Sequence, residues 1–202
     1  MKLYICENYK NAGWTKKVPD GEKISLTFAR LCICDYIGRR PERVEFKFKK
    51  NKYGKPFVEK ISRKKGGKIN RDVFFSLSHS GDILICAVAD YNIGADCQAV
   101  NTDDITSCKK IAGRFFSDDE NLFLNKLPET EYTDRFFKIW TKKEAYVKYT
   151  GRGLSEGLNS FSVFEAAGVY FMRAAPKTAG AYIYICAGEE NFGGNLRVKY
   201  TN

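Results

Sequence analysis

The residues able to do chemistry fall in four short stretches. Glu144 and Lys148 stand four apart in the run from Asp134 to Gly153, one helical turn beyond Trp140, which sets a carboxylate and an ammonium on one side of a helix. Asp96 and Gln98 follow Gly94 in an apolar stretch and, because strand side chains alternate, share one face. Ser78 and His79 come where the apolar run from Val73 turns polar, and Lys55 lies in a turn between Gly54 and Pro56. One carboxylate from a strand and one from a helix suit a hard cation, since magnesium takes oxygen ligands and leaves room for substrate phosphates. Lys55, His79 and Lys148 would surround such phosphates with positive charge. Each residue also has a plainer role. Glu144 and Lys148 can be an exposed pair stabilising its own helix by about 0.2–0.5 kcal/mol, Asp96 a strand-edge residue, and His79 a hydrogen-bonded structural residue.

These side chains need strands and helices to hold them. Apolar alternation predicts strands over Lys2 to Cys6, Val44 to Lys50, Val73 to Ser80, Ile83 to Ala89 and Ile93 to Val100, the last three joined by the turns Gly81-Asp82 and Asp90-Tyr91-Asn92. Helical spacing covers Glu22 to Ile37 and Thr106 to Phe116, and Ser117 opens a further helix through Leu124. The central helix starts at Thr133 or Asp134 and stops at Gly151. Strands are expected again over Gly157 to Glu165, Gly168 to Arg173, Ala181 to Gly188 and Arg197 to Tyr200. Hairpins in place of regular strand–helix alternation favour an α+β fold. A boundary near Asp90 to Ile93 gives an N-terminal lobe over 1–92 and a C-terminal lobe over 93–202 that carries the metal ligands.

The chain has 202 residues, 44% hydrophobic and 29% charged, which suits a globular protein with a sizeable core. No uncharged apolar run is long enough to span a bilayer, and Met1 to Lys10 does not read as a signal peptide, so no membrane partner and a cytoplasmic location are expected. Seven cysteines, an odd number without a CxxC pair, read as reduced core residues. The net charge of +10 favours phosphate-rich or acidic partners. Ser62 to Arg71, SRKKGGKINR, is the most basic stretch and reads as a loop. It sustains a rival reading, a basic nucleic-acid-binding module, which accounts for the charge and leaves Glu144 and Asp96 without a purpose.

Four segments together resemble a known family: Tyr53-Gly54-Lys55-Pro56, Phe75-Ser76-Leu77-Ser78-His79-Ser80-Gly81, Ile93-Gly94-Ala95-Asp96, and Trp140-Thr141-Lys142-Lys143-Glu144-Ala145-Tyr146-Val147-Lys148 continuing into Gly151-Arg152-Gly153-Leu154-Ser155. In this order they resemble the 4′-phosphopantetheinyl transferases of the surfactin-synthetase-activating class, the larger monomeric kind. The resemblance implies two similar lobes related by pseudo-twofold symmetry, each a small, mostly antiparallel sheet packed against helices, with coenzyme A between them. It implies magnesium-dependent transfer of phosphopantetheine from coenzyme A to a serine of an acyl or peptidyl carrier protein, releasing adenosine 3′,5′-bisphosphate, with no nucleic acid as partner. By motif position Asp96 and Glu144 would be magnesium ligands; Lys55, Ser78 and His79 would hold the nucleotide and its phosphates; Lys148 would contact the pyrophosphate. Glu144 is then the residue to take the serine proton, directly or through a metal-bound water, and Lys148 the one to neutralise or protonate the leaving group. The sequence departs from the family at Gln98, where a second carboxylate is usual; either its amide oxygen serves as a weak third metal ligand or water replaces it, and weaker metal binding is expected. It also has a short stretch before the first helix, where Lys23 and Arg30 stand in for the family's basic residues. A member that binds coenzyme A without transferring anything is the further alternative that Gln98 leaves open.

Overall fold

Hairpins set the architecture. In the computed structural model, the described residues are 1–202 apart from 101–103, 154–156, 178–179, 192, 194 and 202, with the side chain of Lys17 also outside the description. The chain runs β1 (Lys2–Glu7), α1 (Ile24–Tyr36), β2 (Val44–Lys50), β3 (Pro56–Arg63), β4 (Phe74–Ser80), β5 (Ile83–Ala89) and β6 (Ile93–Ala99). It continues through α2 (Ile105–Phe115), α3 (Asp118–Asn125), α4 (Glu129–Thr150), β7 (Val169–Ala174), β8 (Ala181–Gly188) and β9 (Arg197–Thr201). The fold is α+β, as the hairpin pattern implies. Three sheets form among the described residues: β4-β5-β1-β9, the ribbon β2-β3, and β6-β8-β7. All pairs are antiparallel except β1 with β9.

The apolar pattern of each strand follows from what covers it. β1 and β5 are buried on both faces and therefore carry nearly continuous apolar residues. Tyr4 and Cys6 face α1, where Phe28, Cys32 and Ile33 complete one core. Leu3 and Ile5 point the other way, onto Ile93, Ala95 and Cys97 of β6 and Ile183 and Ile185 of β8. A third core joins α2, α3 and α4 through Ala112, Phe116, Leu124, Tyr132 and Phe136. Trp140 stacks there on Phe116 and Phe136, so it packs α4 against its neighbouring helices. All seven cysteines are free and buried, in accord with reduced core residues. No described helix is long and apolar enough to cross a membrane.

Three elements differ from the sequence expectation. Strand β3 is additional; its apolar residues are sparse because only one face is covered, and Glu59 on the open face pairs with Lys47 and Lys49 of β2. Helix α4 starts at Glu129, ahead of Thr133 and Asp134, because Pro128 (φ −62°) sets the entry and Glu129 and Glu131 sit favourably at the positive end of the helix dipole. Asp134, inside the helix, instead accepts from Tyr182 and Lys138. The stretch after Gly157 is a 3-10 turn at Leu158–Ser160 followed by bends, without a strand. Its backbone bonds go to buried charged side chains: Leu158 O and Phe161 O accept from Lys143, and Val163 N donates to Glu120. Leu154 and Ser155, named in the resemblance, lie outside the described residues.

Candidate active site

The site begins with a missing side chain. A Cβ on Gly94 would lie 2.1 Å from the carbonyl oxygen of Ala145 and 2.3 Å from the amide nitrogen of Tyr149. Helix α4 therefore rests directly on the backbone of β6, and only glycine permits that approach. Two residues further along β6 is Asp96, and on the facing side of α4 are Glu144 and Lys148. The backbone contact at Gly94 brings the three to one place.

Asp96 is 2% exposed, yet both of its oxygens are engaged. Oδ1 accepts from the Lys148 ammonium at 2.6 Å and from the Ser78 hydroxyl at 2.6 Å; Oδ2 accepts from the Gln98 amide at 2.9 Å. Ser78 reaches Asp96 because β4 and β6 lie side by side with serines between them. Ser76 and Ser80, on the same face as Ser78, accept from the backbone amides of Ala95 and Ala99, each at 2.9 Å. Hydroxyls thus bridge the joint between the two sheets and satisfy buried amides that no ladder reaches. Burial raises the proton affinity of Glu144; the neighbouring Asp96 carboxylate raises it further, while Lys148 opposes both.

Where one carboxylate raises the proton affinity of another, a divalent cation relieves the repulsion. Asp96 and Glu144, with the amide oxygen of Gln98, offer hard oxygen donors of the kind magnesium takes, and they fit such an ion by chemistry. Among the described residues no group of three His, Cys, Asp or Glu side chains comes together, so the ion would rely on water and substrate oxygens for the rest of its shell.

A cleft of about 270 Å³ opens beside Glu144 and Lys148. Glu144 and Lys148 form one wall, Ser76 and Leu77 of β4 another, and Tyr53 with Lys55 a third. Lys55 is held by the turn it sits on: Asn51 Oδ1 accepts from the amides of Tyr53 and Lys55, while its Nδ2 donates to Gly151 O at 2.7 Å. Gly151, at φ +69°, ends α4 as the sequence predicts. The Lys55 ammonium donates to Ile93 O at 3.2 Å, Asn92 Oδ1 at 3.3 Å and Tyr149 O at 3.4 Å. It has neutral oxygens around it and little water, so burial pushes its pKa down to about 8.

The structure thus gathers Asp96, Gln98, Ser78, Glu144 and Lys148, and sets Lys55 on the same cleft. His79 is elsewhere: strand alternation turns it away from Ser78, and it is exposed with its ring 6.4 Å from that of Tyr9. Arg30 pairs with Glu22 at 2.9 Å, and Lys23 is the residue before α1. Sequence reading missed Asn51 and Asn92, which clasp the end of α4; Asn92 Nδ2 donates to Tyr149 O at 2.8 Å. The signal available was weak, an asparagine in each of two turns. It also missed Lys143, whose ammonium is wholly buried against Glu120 at 2.8 Å.

A small α+β fold with a helix glutamate and a helix lysine lining one cleft, and a strand aspartate buried behind them on the lysine, is an arrangement able to hold charged groups such as phosphate. A family model described as the 4′-phosphopantetheinyl transferase superfamily matches residues 92–194, and the chain belongs to that superfamily. It is 35% identical over 114 residues to the 4′-phosphopantetheinyl transferase gsp of Aneurinibacillus migulanus, covering 56% of this chain and 42% of that one. It is 34% identical over 122 residues to the transferase Sfp of Bacillus subtilis strain 168, covering 60% and 49%, and 36% identical over 130 residues to HetI of Nostoc, covering 63% and 50%. The chain spans about half the length, or less, of the curated relatives it matches.

Proposed function

We propose that the protein transfers 4′-phosphopantetheine from coenzyme A to a serine hydroxyl of an acyl or peptidyl carrier protein, releasing adenosine 3′,5′-bisphosphate. The observation that carries this reading is the meeting of Asp96, Glu144 and Lys148 through the backbone contact at Gly94, within a chain of this superfamily.

The reaction asks mainly for positioning and for control of charge. Glu144, whose proton affinity burial and Asp96 raise, is the group to accept the serine proton as oxygen attacks phosphorus. Lys148 turns from Asp96 to the pyrophosphate and neutralises charge on the departing phosphate. Lys55 faces the cleft as a cation without a carboxylate partner, suited to an anionic nucleotide. Asp96, Glu144 and Gln98 would hold magnesium, which when bound neutralises pyrophosphate charge and polarises phosphorus. Ser78, through its bond to Asp96, holds that carboxylate in place, and His79 would reach coenzyme A from the outer end of β4. We read the chain as a cytoplasmic monomer of two lobes, 1–92 and 93–202, the second lending β9 to the sheet of the first. The +10 charge suits an acidic carrier surface.

The test is direct. Full-length protein, coenzyme A and magnesium are incubated with a panel of acyl and peptidyl carriers and the products weighed by mass spectrometry. A gain of the phosphopantetheine mass is expected, abolished by Ala in place of the carrier serine; no gain on any carrier overturns the reading. One observation favours a second reading, binding without transfer: both Asp96 oxygens are already occupied by donors of the chain itself. Coenzyme A binding by calorimetry with no mass gain would select it.

A further inference from the structure

The basic stretch that the proposed chemistry leaves unused builds a second concavity. It lies at the far end of the β2–β3 ribbon. The ribbon's near end, where Lys50 pairs with Pro56, adjoins the cleft, whereas its far end pairs Val44 with Arg63. At about 3.3 Å per residue over β2, the two ends are roughly 20 Å apart.

Two short connections form the groove. After α1, Gly38 (φ +68°) reverses the chain, Arg39 N bonds back to Cys34 O at 2.8 Å, and a 3-10 turn at Pro41–Arg43 leads into β2. After β3, Arg63 N bonds to Gly67 O at 2.9 Å and Gly66 N to Arg63 O at 3.0 Å. Lys64 N then donates to Arg43 O at 3.1 Å and ties one connection to the other. Arg39, Arg40, Arg43, Arg63, Lys64 and Lys65 line the resulting groove over Val44 and Ile69, with Glu42 its one acidic residue. Its volume is about 710 Å³.

On the same ribbon Lys47 and Lys49 share Glu59, and Arg71 beyond it holds Asp90. Among the described residues, none of the six groove cations forms an ion pair or a side-chain hydrogen bond within the chain. Six like charges on backbone that is tied together repel one another, and an anion in the groove relieves that. Four of the six are arginines, whose planar forks engage phosphate oxygens two at a time. The described lining holds no aromatic side chain, so there is no platform on which a base could stack, as proteins of single-stranded nucleic acid provide. The concave shape, walled by cations from both connections, fits a short ligand with closely spaced charges better than a protein surface.

We propose that this distal groove binds an oligophosphate, a small ligand carrying several linked phosphate groups and no aromatic ring. The site is separate from the transferase cleft and does not depend on the transfer reaction.

The probe is inorganic tripolyphosphate, titrated into full-length protein at fixed ionic strength. Amide chemical shifts are followed by NMR and affinity by calorimetry. Shifts are expected at Arg39 to Val44 and Arg63 to Ile69, with affinity falling about tenfold or more in the double variant Arg40→Glu/Arg43→Glu, as loss of two charge-assisted contacts implies. These residues are exposed, so the variant keeps the fold; Lys64→Gln/Lys65→Gln provides a milder second case with a smaller loss. Shifts confined to the cleft around Ser76, Glu144 and Gly151 overturn the proposal, as does affinity unchanged in both variants. A glutamate-rich peptide or an oligonucleotide that binds the groove more tightly than tripolyphosphate, and loses that affinity in the variants, also overturns it, in favour of an acidic protein or a nucleic acid.

Discussion

Replacing Lys143 by methionine should cost the fold more than breaking any surface ion pair. Lys143 and Glu120 are both wholly shielded from water, and the ammonium meets three oxygens: Glu120 Oε2 at 2.8 Å, Leu158 O at 2.7 Å and Phe161 O at 2.6 Å. Glu120 accepts in addition from Ser117 N at 3.0 Å and Val163 N at 2.8 Å. Methionine fills similar volume but leaves a buried carboxylate with two backbone donors and no counter-charge, and orphans two carbonyls. Removing one partner of such a pair costs about 3–5 kcal/mol, against a total of about 5–15 kcal/mol for a domain. With a urea slope of about 2 kcal/mol/M, the midpoint should fall by about 2 M. Urea titration followed by circular dichroism measures it. Adding Glu120→Gln removes the stranded charge and should recover part of the loss. A shift below about 0.5 M for Lys143→Met, or no recovery in the double variant, would refute the reasoning that the charge, and not the packing, holds the 157–163 segment.

Four further outcomes are expected. Gly94→Ala should destabilise by about 1–3 kcal/mol or more, since the new methyl group meets α4 backbone that has no side chain to move aside; a normal melting temperature would show that α4 can slide. Asp96→Ala and Glu144→Gln should each lower carrier modification by about a hundredfold or more with the circular dichroism unchanged, and near-normal rates in both would remove them from the chemistry. Turnover should rise with pH through a group titrating above the ordinary carboxylate range, because the raised proton affinity of Glu144 keeps it protonated longer and a base must first lose its proton; a rate already flat from pH 4 upward would contradict this. Lys55 titrates near pH 8 when folded and near 10.5 when unfolded, so between those values the unfolded chain binds more protons and stability rises with pH. Lys55→Met should lose that rise, and an identical pH–stability slope in the variant would count against it.

How much of this the sequence discloses depends on how local the cause is. Strands β4, β5 and β6 and their turns are legible because apolar runs and turn residues are adjacent in the chain. The end of α4 at Gly151 is legible for the same reason. Its start is not, since Thr133 and Asp134 look like caps and only the partners Tyr182 and Lys138 show that Asp134 is used within the helix. Strand β3 hides because one of its faces is open and charged. Glu120 reads as an ordinary first-turn acid, and nothing nearby in sequence says that Lys143, 23 positions on, will bury it. At the site, the types of Glu144, Lys148 and Asp96 suggest a shared task, but what brings them together is the contact of α4 with Gly94, which depends on how two distant elements pack. The direction of His79 against Ser78 follows from strand alternation alone, yet which of the two faces the joint with β6 depends on the neighbouring sheet.

The parallel pairing of β9 with β1 bears on how the chain folds. Lys2 lies beside Arg197 and Cys6 beside Thr201, with the Lys199 ammonium and the Lys2 ammonium both on Asp35 at 2.5 Å. β1 is therefore completed by a strand 195 positions further along the chain. Until that strand pairs, one edge of β1 has no partner and its amides and carbonyls are open to any passing strand. Closing so long an interval from an open coil would cost about 5 kcal/mol beyond the constant term, so the intervening β6–β8 sheet must form first and shorten it. Folding should thus expose a brief, chaperone-sensitive stage in which the sheets are formed but β9 has not yet closed the edge of β1.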